Sequence, residues 1–262
     1  MVAPSRVGTT THNSSESSQS SISFSHTCDT GTELLIVKFQ MRATESISGT
    51  PTFNGDNLTL IRDTGSGGVQ TPRIYVYGRV NPDITTGTVS ATLDSGAAPR
   101  CWSASNWQDV DTTSVAAATN FIDDTVNTSG SSTVLASGGS DGNILLAFGG
   151  FRGADGDPVG WSSATFNEDF EESSGTSNSN SQICAEADYD TLPSGTTIGW
   201  SASDDNAGVL IEIVAAPGAD VDITVPQGNL ALTTAAPTAI HPAWLRQTAY
   251  RFRNDDGTKQ AP

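Results

Sequence analysis

Alternating apolar and polar residues form a series of short runs along this chain, and each run predicts a strand with one face turned inward. Ile22, Phe24 and His26 alternate with Ser23, Ser25 and Thr27. Leu35, Val37, Phe39 and Met41 alternate with Ile36, Lys38, Gln40 and Arg42, which predicts a strand with one wet face. Ile74, Val76 and Val80 face one way, and Arg73, Tyr75, Tyr77 and Arg79 the other. Val89, Ala91 and Leu93 alternate with Thr88, Ser90 and Thr92. The run Ile144–Phe148 is apolar on both sides, as a central strand is. Ile198, Trp200 and Ala202 repeat the alternation, and Gly208–Val214 reads as a closing core strand.

Breakers separate these runs: Thr64–Gly68, Asn81-Pro82-Asp83, Ser95-Gly96, Ser137–Gly142 and Leu192–Gly195. Strands with such turns predict an all-β fold, an antiparallel β-sandwich of jelly-roll type. Helical periodicity is nearly absent. Val110 to Phe121 is the one stretch that reads as either a helical turn or two, or a loop.

The ends differ in texture. Residues 1–21 are polar and rich in Ser and Thr, and read as an extended arm or a solvent-facing first strand. Residues 22–216 form the sandwich, and residues 217–262 a C-terminal extension. There Val221, Ile223 and Val225 alternate with Asp220, Asp222 and Thr224, and Pro226, Pro237 and Pro242 punctuate the chain beyond them. The last stretch is mostly basic, with Arg246, Arg251, Arg253 and Lys259 against Asp255 and Asp256. It reads either as a docking arm for an acidic neighbour or as an ordinary solvated terminus.

Composition narrows the function. A chain of 262 residues, 35% hydrophobic, can bury a substantial core. Twelve basic against 29 acidic residues give a net charge of −17, which argues against nucleic acid as a partner. Much of the Asp sits in turn contexts such as Asp123-Asp124 and Asp204-Asp205. No apolar run reaches membrane-spanning length, and the opening Met-Val-Ala-Pro-Ser-Arg lacks the apolar core of a signal peptide, so neither a membrane span nor a leader is expected. Cys28, Cys101 and Cys184 form no CxxC pair; buried free thiols are expected, with one bridge plus a free thiol as the alternative.

Four ordered segments carry a resemblance: Gly31–Val37 (Gly-Thr-Glu-Leu-Leu-Ile-Val), Phe53–Leu60 (Phe-Asn-Gly-Asp-Asn-Leu-Thr-Leu), Ile74–Pro82 (Ile-Tyr-Val-Tyr-Gly-Arg-Val-Asn-Pro) and Phe151–Asp155 (Phe-Arg-Gly-Ala-Asp). With the closing strands from Gly199 to Ile213, this set resembles sandwich domains of tailed-bacteriophage virion proteins and bacterial surface proteins. Val225–Thr238 and Tyr250–Gly257 resemble short motifs of phage structural proteins and of large surface proteins. The likeness spans most of residues 20–257 and brings no catalytic residues with it. It implies a non-enzymatic protein on the outer surface of a phage particle: a capsid decoration (cement) protein, or a tail- or fibre-attachment protein. Its partners would be other virion proteins, with homo-oligomers expected.

Several residues offer chemistry of their own beside that expectation. Asp169, Glu171 and Glu172 offer carboxylates, but adjacent acids alternate faces on a strand, and the run leads into Ser173–Asn178; it reads as a charged loop shoulder. His12, His26 and His241 have no Gly-x-Ser-x-Gly elbow beside them. Asp155 and Asp157 are the best candidates for Ca2+; otherwise no cofactor is expected. Tyr75, Tyr77 and Trp161 are the candidate aromatics for the alternative function, a carbohydrate-binding or adhesion module, while core or edge packing is the expectation for Trp102, Trp107, Trp161 and Trp200. In the structural reading Leu230, Leu232 and Trp244 anchor the extension on neighbouring subunits, joined by Arg246, Arg251 and Arg253.

Overall fold

Period-two patterning is realised as strands almost throughout. The computed structural model describes residues 2–15, 17–42, 44–65, 71–94, 101–127, 133–136, 140, 142–152, 160–161, 167–173, 182–190, 197–201 and 205–218. All of these lie in one compact unit, Met1–Gly218. The anchors proposed in the C-terminal extension fall outside the described residues, as do Asp155 and Asp157.

The first strands are β1 (Ser5–Ser14), β2 (Ser21–Thr27), β3 (Leu34–Arg42), β4 (Ile47–Phe53), β5 (Asp56–Asn57) and β6 (Thr59–Asp63). Then come β7 (Pro72–Val80), β8 (Thr86–Leu93), β9 (Cys101–Gln108), the single turn of helix α1 (Val115–Ala118), β10 (Thr119–Asn127) and β11 (Thr133–Ala136). The series closes with β12 (Ile144–Arg152), β13 (Gly160–Trp161), β14 (Asn167–Ser173), β15 (Gln182–Asp190), β16 (Thr197–Ser201) and β17 (Asn206–Ile213). Among the described residues no helix is long and apolar enough to cross a membrane.

Among the described residues the strands assemble into four antiparallel sheets, giving an all-β sandwich. Sheet I has the order β1-β9-β3-β7-β6, sheet II β2-β8-β4-β5, sheet III β10-β17-β12-β15-β14 and sheet IV β11-β16-β13. Two apolar cores show how they stack. Leu35, Val37, Phe39 and Met41 of β3 join Ile22, Val89 and Leu93 of sheet II in one core. Leu34 and Ile36, on the opposite face of the same strand, join Leu146, Phe148, Val209 and Ile211 of sheet III in the other. Sheet I is therefore the shared wall between II and III.

This arrangement corrects the expected wet face of β3: Lys38 and Gln40 are both 0% exposed. Strict alternation marks two faces, but it cannot say whether the more polar one meets water or a second sheet. Gly150 shows how closely sheet III approaches: a Cβ there would collide with the Gln40 amide.

Of the two readings of the N-terminal segment, an extended arm or a solvent-facing first strand, the strand holds: residues 5–14 are the edge strand of sheet I, paired along β9 with a bulge between Val7 and Thr11. Gly8 sits in that bulge at φ +66, where a side chain would run into the Asp29 carboxylate. The acidic shoulder at Asp169 is also a strand, because β14 pairs with β15 from Asn167 to Ser173. In the stretch Val110–Phe121 one helical turn forms. Ser114 caps it by accepting the Ala117 N–H at 3.1 Å, and β10 follows directly.

Candidate functional site

Where β1 crosses the edge of sheet III, polar side chains from four strands converge. Arg6 of β1 donates to Asp169 of β14 (2.9 Å) and to Glu186 of β15 (3.0 Å), and reaches Asp188 at 3.2 Å. Its guanidinium also donates to Thr10 Oγ1 at 2.7 Å and lies 4.7 Å from the centroid of the Trp107 ring. Ser103 of β9 donates to the second oxygen of Glu186 at 3.0 Å. Glu186, 1% exposed, thus has both oxygens engaged. Burial alone would lower the Arg6 pKa; Glu186, Asp169 and Asp188 outweigh it, and the pKa is raised.

Lys38 lies deeper in the same interlayer. Its ammonium has no hydrogen-bond acceptor among the described residues and sits 5.3 Å from the ring centroid of Phe170 and 5.8 Å from that of Phe148. Burial pushes its pKa down to about 8, against a smaller opposing pull from Glu186. His12 of β1 stacks on the same Phe170 ring, with centroids 4.5 Å apart.

A second polar chain ties β1 to sheet II. Thr11 Oγ1 and His26 Nδ1 are 2.9 Å apart, His26 Nε2 and Asn106 Oδ1 are 2.9 Å apart, and Asn106 Nδ2 donates to the Thr27 carbonyl at 2.8 Å. With Nε2 protonated, the ring donates to Asn106 and accepts from Thr11. This hydroxyl–imidazole–amide order is the one that activates a nucleophile, but here His26 is 1% exposed. Burial lowers its pKa, opposed by the Asn106 hydrogen bond and the Asp29 charge. The arrangement joins layers.

The aromatic alternative loses most of its platform. Tyr75 and Tyr77 are 4% and 6% exposed and belong to the core between sheets I and II, because the face they share with Arg73 is covered by sheet II. Burial, with the nearby Asp63 charge, pushes both phenols up to about 12. Arg73 turns instead to Asp63, at 2.6 Å. Trp102 and Trp107 are buried, as expected of core packing. For Trp161 the structure gives the backbone pairing, β13 to β16 opposite Trp200.

A groove of about 220 Å³ opens between the edge strands β6 and β10, lined by Leu60, Ile61, Val115 and Phe121 with neighbouring small polar residues. None of its lining groups is an acid or a base. Arg62 closes one side, 4.4 Å over the Phe121 ring and paired with Asp124 at 2.7 Å.

Among the cysteines the alternative arrangement holds: Cys101 is disulfide-bonded and Cys28 is a buried free thiol. Sequence reasoning missed Arg6, Lys38, Glu186, Asp188 and the His26–Asn106 pair. One signal was present: a single Lys inside an eight-residue run, Leu34–Met41, whose other members are mostly apolar. Compared with known proteins, the chain matches no family model, no curated protein and no solved structure.

Proposed function

We propose that this chain is a non-enzymatic structural protein of a tailed-phage virion, acting on the outer surface of the particle as a capsid decoration or a tail- or fibre-attached block. The observation that carries this reading is the inward commitment of the reactive groups that the described residues bring together. Arg6, Lys38, Glu186 and His26 are all spent on joining layers, and the groove between β6 and β10 is lined without acid–base groups. Such a build suits a rigid body that binds through its edges and termini. The ordered motifs from Gly31 to Asp155 support the virion setting. Burial of Tyr75 and Tyr77 weighs against the glycan-binding alternative.

Docking on neighbours is assigned to the C-terminal extension, with Leu230, Leu232 and Trp244 as apolar anchors. Truncation after Ala216, followed by a particle-binding assay, tests this. Lost incorporation is expected; unchanged incorporation overturns it.

A further inference from the structure

The N-terminal strand is attached differently from every other long strand of sheet I. It contributes no residue to either apolar core. Along its length only Thr10 is buried. What holds it is the ladder to β9 and a set of polar contacts: the Arg6 carboxylate triad, the Thr11–His26 hydrogen bond, Gln108 Nε2 donating to Ser5 Oγ at 3.0 Å, and the His12–Phe170 stack. Lifting β1 away would leave both cores walled by the same residues as before. It would also uncover a socket of defined chemistry: the free edge of β9 beside Asp169, Glu186 and Asp188, a site for an extended strand carrying one guanidinium.

The connection favours such a departure. β1 belongs to sheet I and β2 to sheet II, and the polar residues between them include exposed Ser17, Ser18 and Ser20. Residues 15–20 extend to roughly 20 Å at full stretch, so a donated strand would bring two bodies into contact rather than tether them at a distance. The strand complementary to the socket is β1 itself, and exchanging an identical element between copies needs no new interface chemistry.

We propose that β1 is an exchangeable strand: residues 5–14 of one copy pair along β9 of a second copy, with the donor's Arg6 entering the Asp169–Glu186–Asp188 socket of the acceptor. This rests on the reading of the chain as an assembling block, and names the contact through which copies join.

The test uses register partners. Ser5 stands opposite Gln108, so full-length S5C and Q108C chains are mixed and mildly oxidised. Disulfide-linked heterodimers are expected at least about tenfold faster than from Q108C mixed with I84C, because paired cysteines react at a far higher effective concentration than colliding chains. Ile84 serves as the control because it is exposed and lies outside β1. Oxidised at high dilution, where each β1 lies on its own β9, the S5C/Q108C double variant should be locked and remain monomeric when concentrated. Heterodimers no faster than the control, from chains that still incorporate into particles, would overturn strand exchange and leave the assembly reading standing. Failure of the unmodified chain to bind particles would overturn the assembly reading on which the exchange rests.

Discussion

The Lys38 ammonium and the Phe170 ring meet at 5.3 Å between sheets I and III, a cation held by an aromatic face where a hydrogen-bond acceptor would ordinarily sit. Phe148 supports it from farther off, at 5.8 Å. Ring faces recover only part of the hydration that burial removes. The fold therefore carries an electrostatic cost at its centre.

Lys38→Met should for that reason stabilise the chain at pH 7, by about 1–3 kcal/mol, since replacing a buried charge by a well-packed apolar group is often favourable. The gain should depend on pH. Below about 8 both folded and unfolded lysines are protonated, and the folded state bears the full cost. Between about 8 and the unfolded value near 10.5 the folded state releases its proton first, so wild-type stability rises. Urea unfolding at pH 7 and pH 10 checks this: the advantage of the variant should shrink at the higher pH. An equal advantage at both would contradict the assignment.

Removing Arg6 should do the opposite. Arg6→Met leaves Glu186 buried without its guanidinium and Asp169 and Asp188 facing it. A loss of about 3–5 kcal/mol is expected from breaking one side of a buried pair. Arg6→Lys should rescue little, because a point charge cannot fork to three carboxylates. Chemical denaturation of the three proteins is the measurement.

His26 should make the chain acid-sensitive. Its folded pKa lies below the unfolded value near 6.5, so the unfolded state takes up the proton first as pH falls. The stability linked to this group is present above about 6.5 and is lost as pH drops through the folded pKa. Comparing melting temperatures at about pH 7.5 and 5.5, on either side of the unfolded value, His26→Gln should show a smaller fall than wild type.

Thiol chemistry offers a simple check of the cysteine state. Burial, with Asp29 and Asp83 adding to it, pushes the Cys28 thiol up to about 12, so almost no thiolate exists near neutral pH. Without reductant the native chain should not react with Ellman's reagent, and the denatured chain should release one equivalent. Three equivalents on denaturation would exclude the bridge at Cys101.

The strands were legible because period two survives in a single sequence: Val89, Ala91 and Leu93 in β8 fall where the alternation puts them. Layer number was not. Tyr75 and Tyr77 look amphipathic enough for a wet surface, and only the covering by sheet II turns them into core. Likewise, nothing near Arg6 in sequence announces Glu186, 180 residues away. Long-range ion pairs leave no local signature, so the polar junction is invisible in the sequence while the strands that build it are plain. Lys38 is the partial exception: it shows as a charge in an apolar run, but alternation alone assigns it to solvent.

Sheet I has no face to spare, and this bears on how the chain comes apart. A two-layer sandwich can split along its single seam. Here β3 sits between β9 and β7 within its sheet and presses into apolar cores above and below. Neither outer layer can detach without exposing a wall on which the opposite layer depends. The amides of β3 should thus be the last to exchange with solvent, and a pull on either outer sheet meets the resistance of the whole stack.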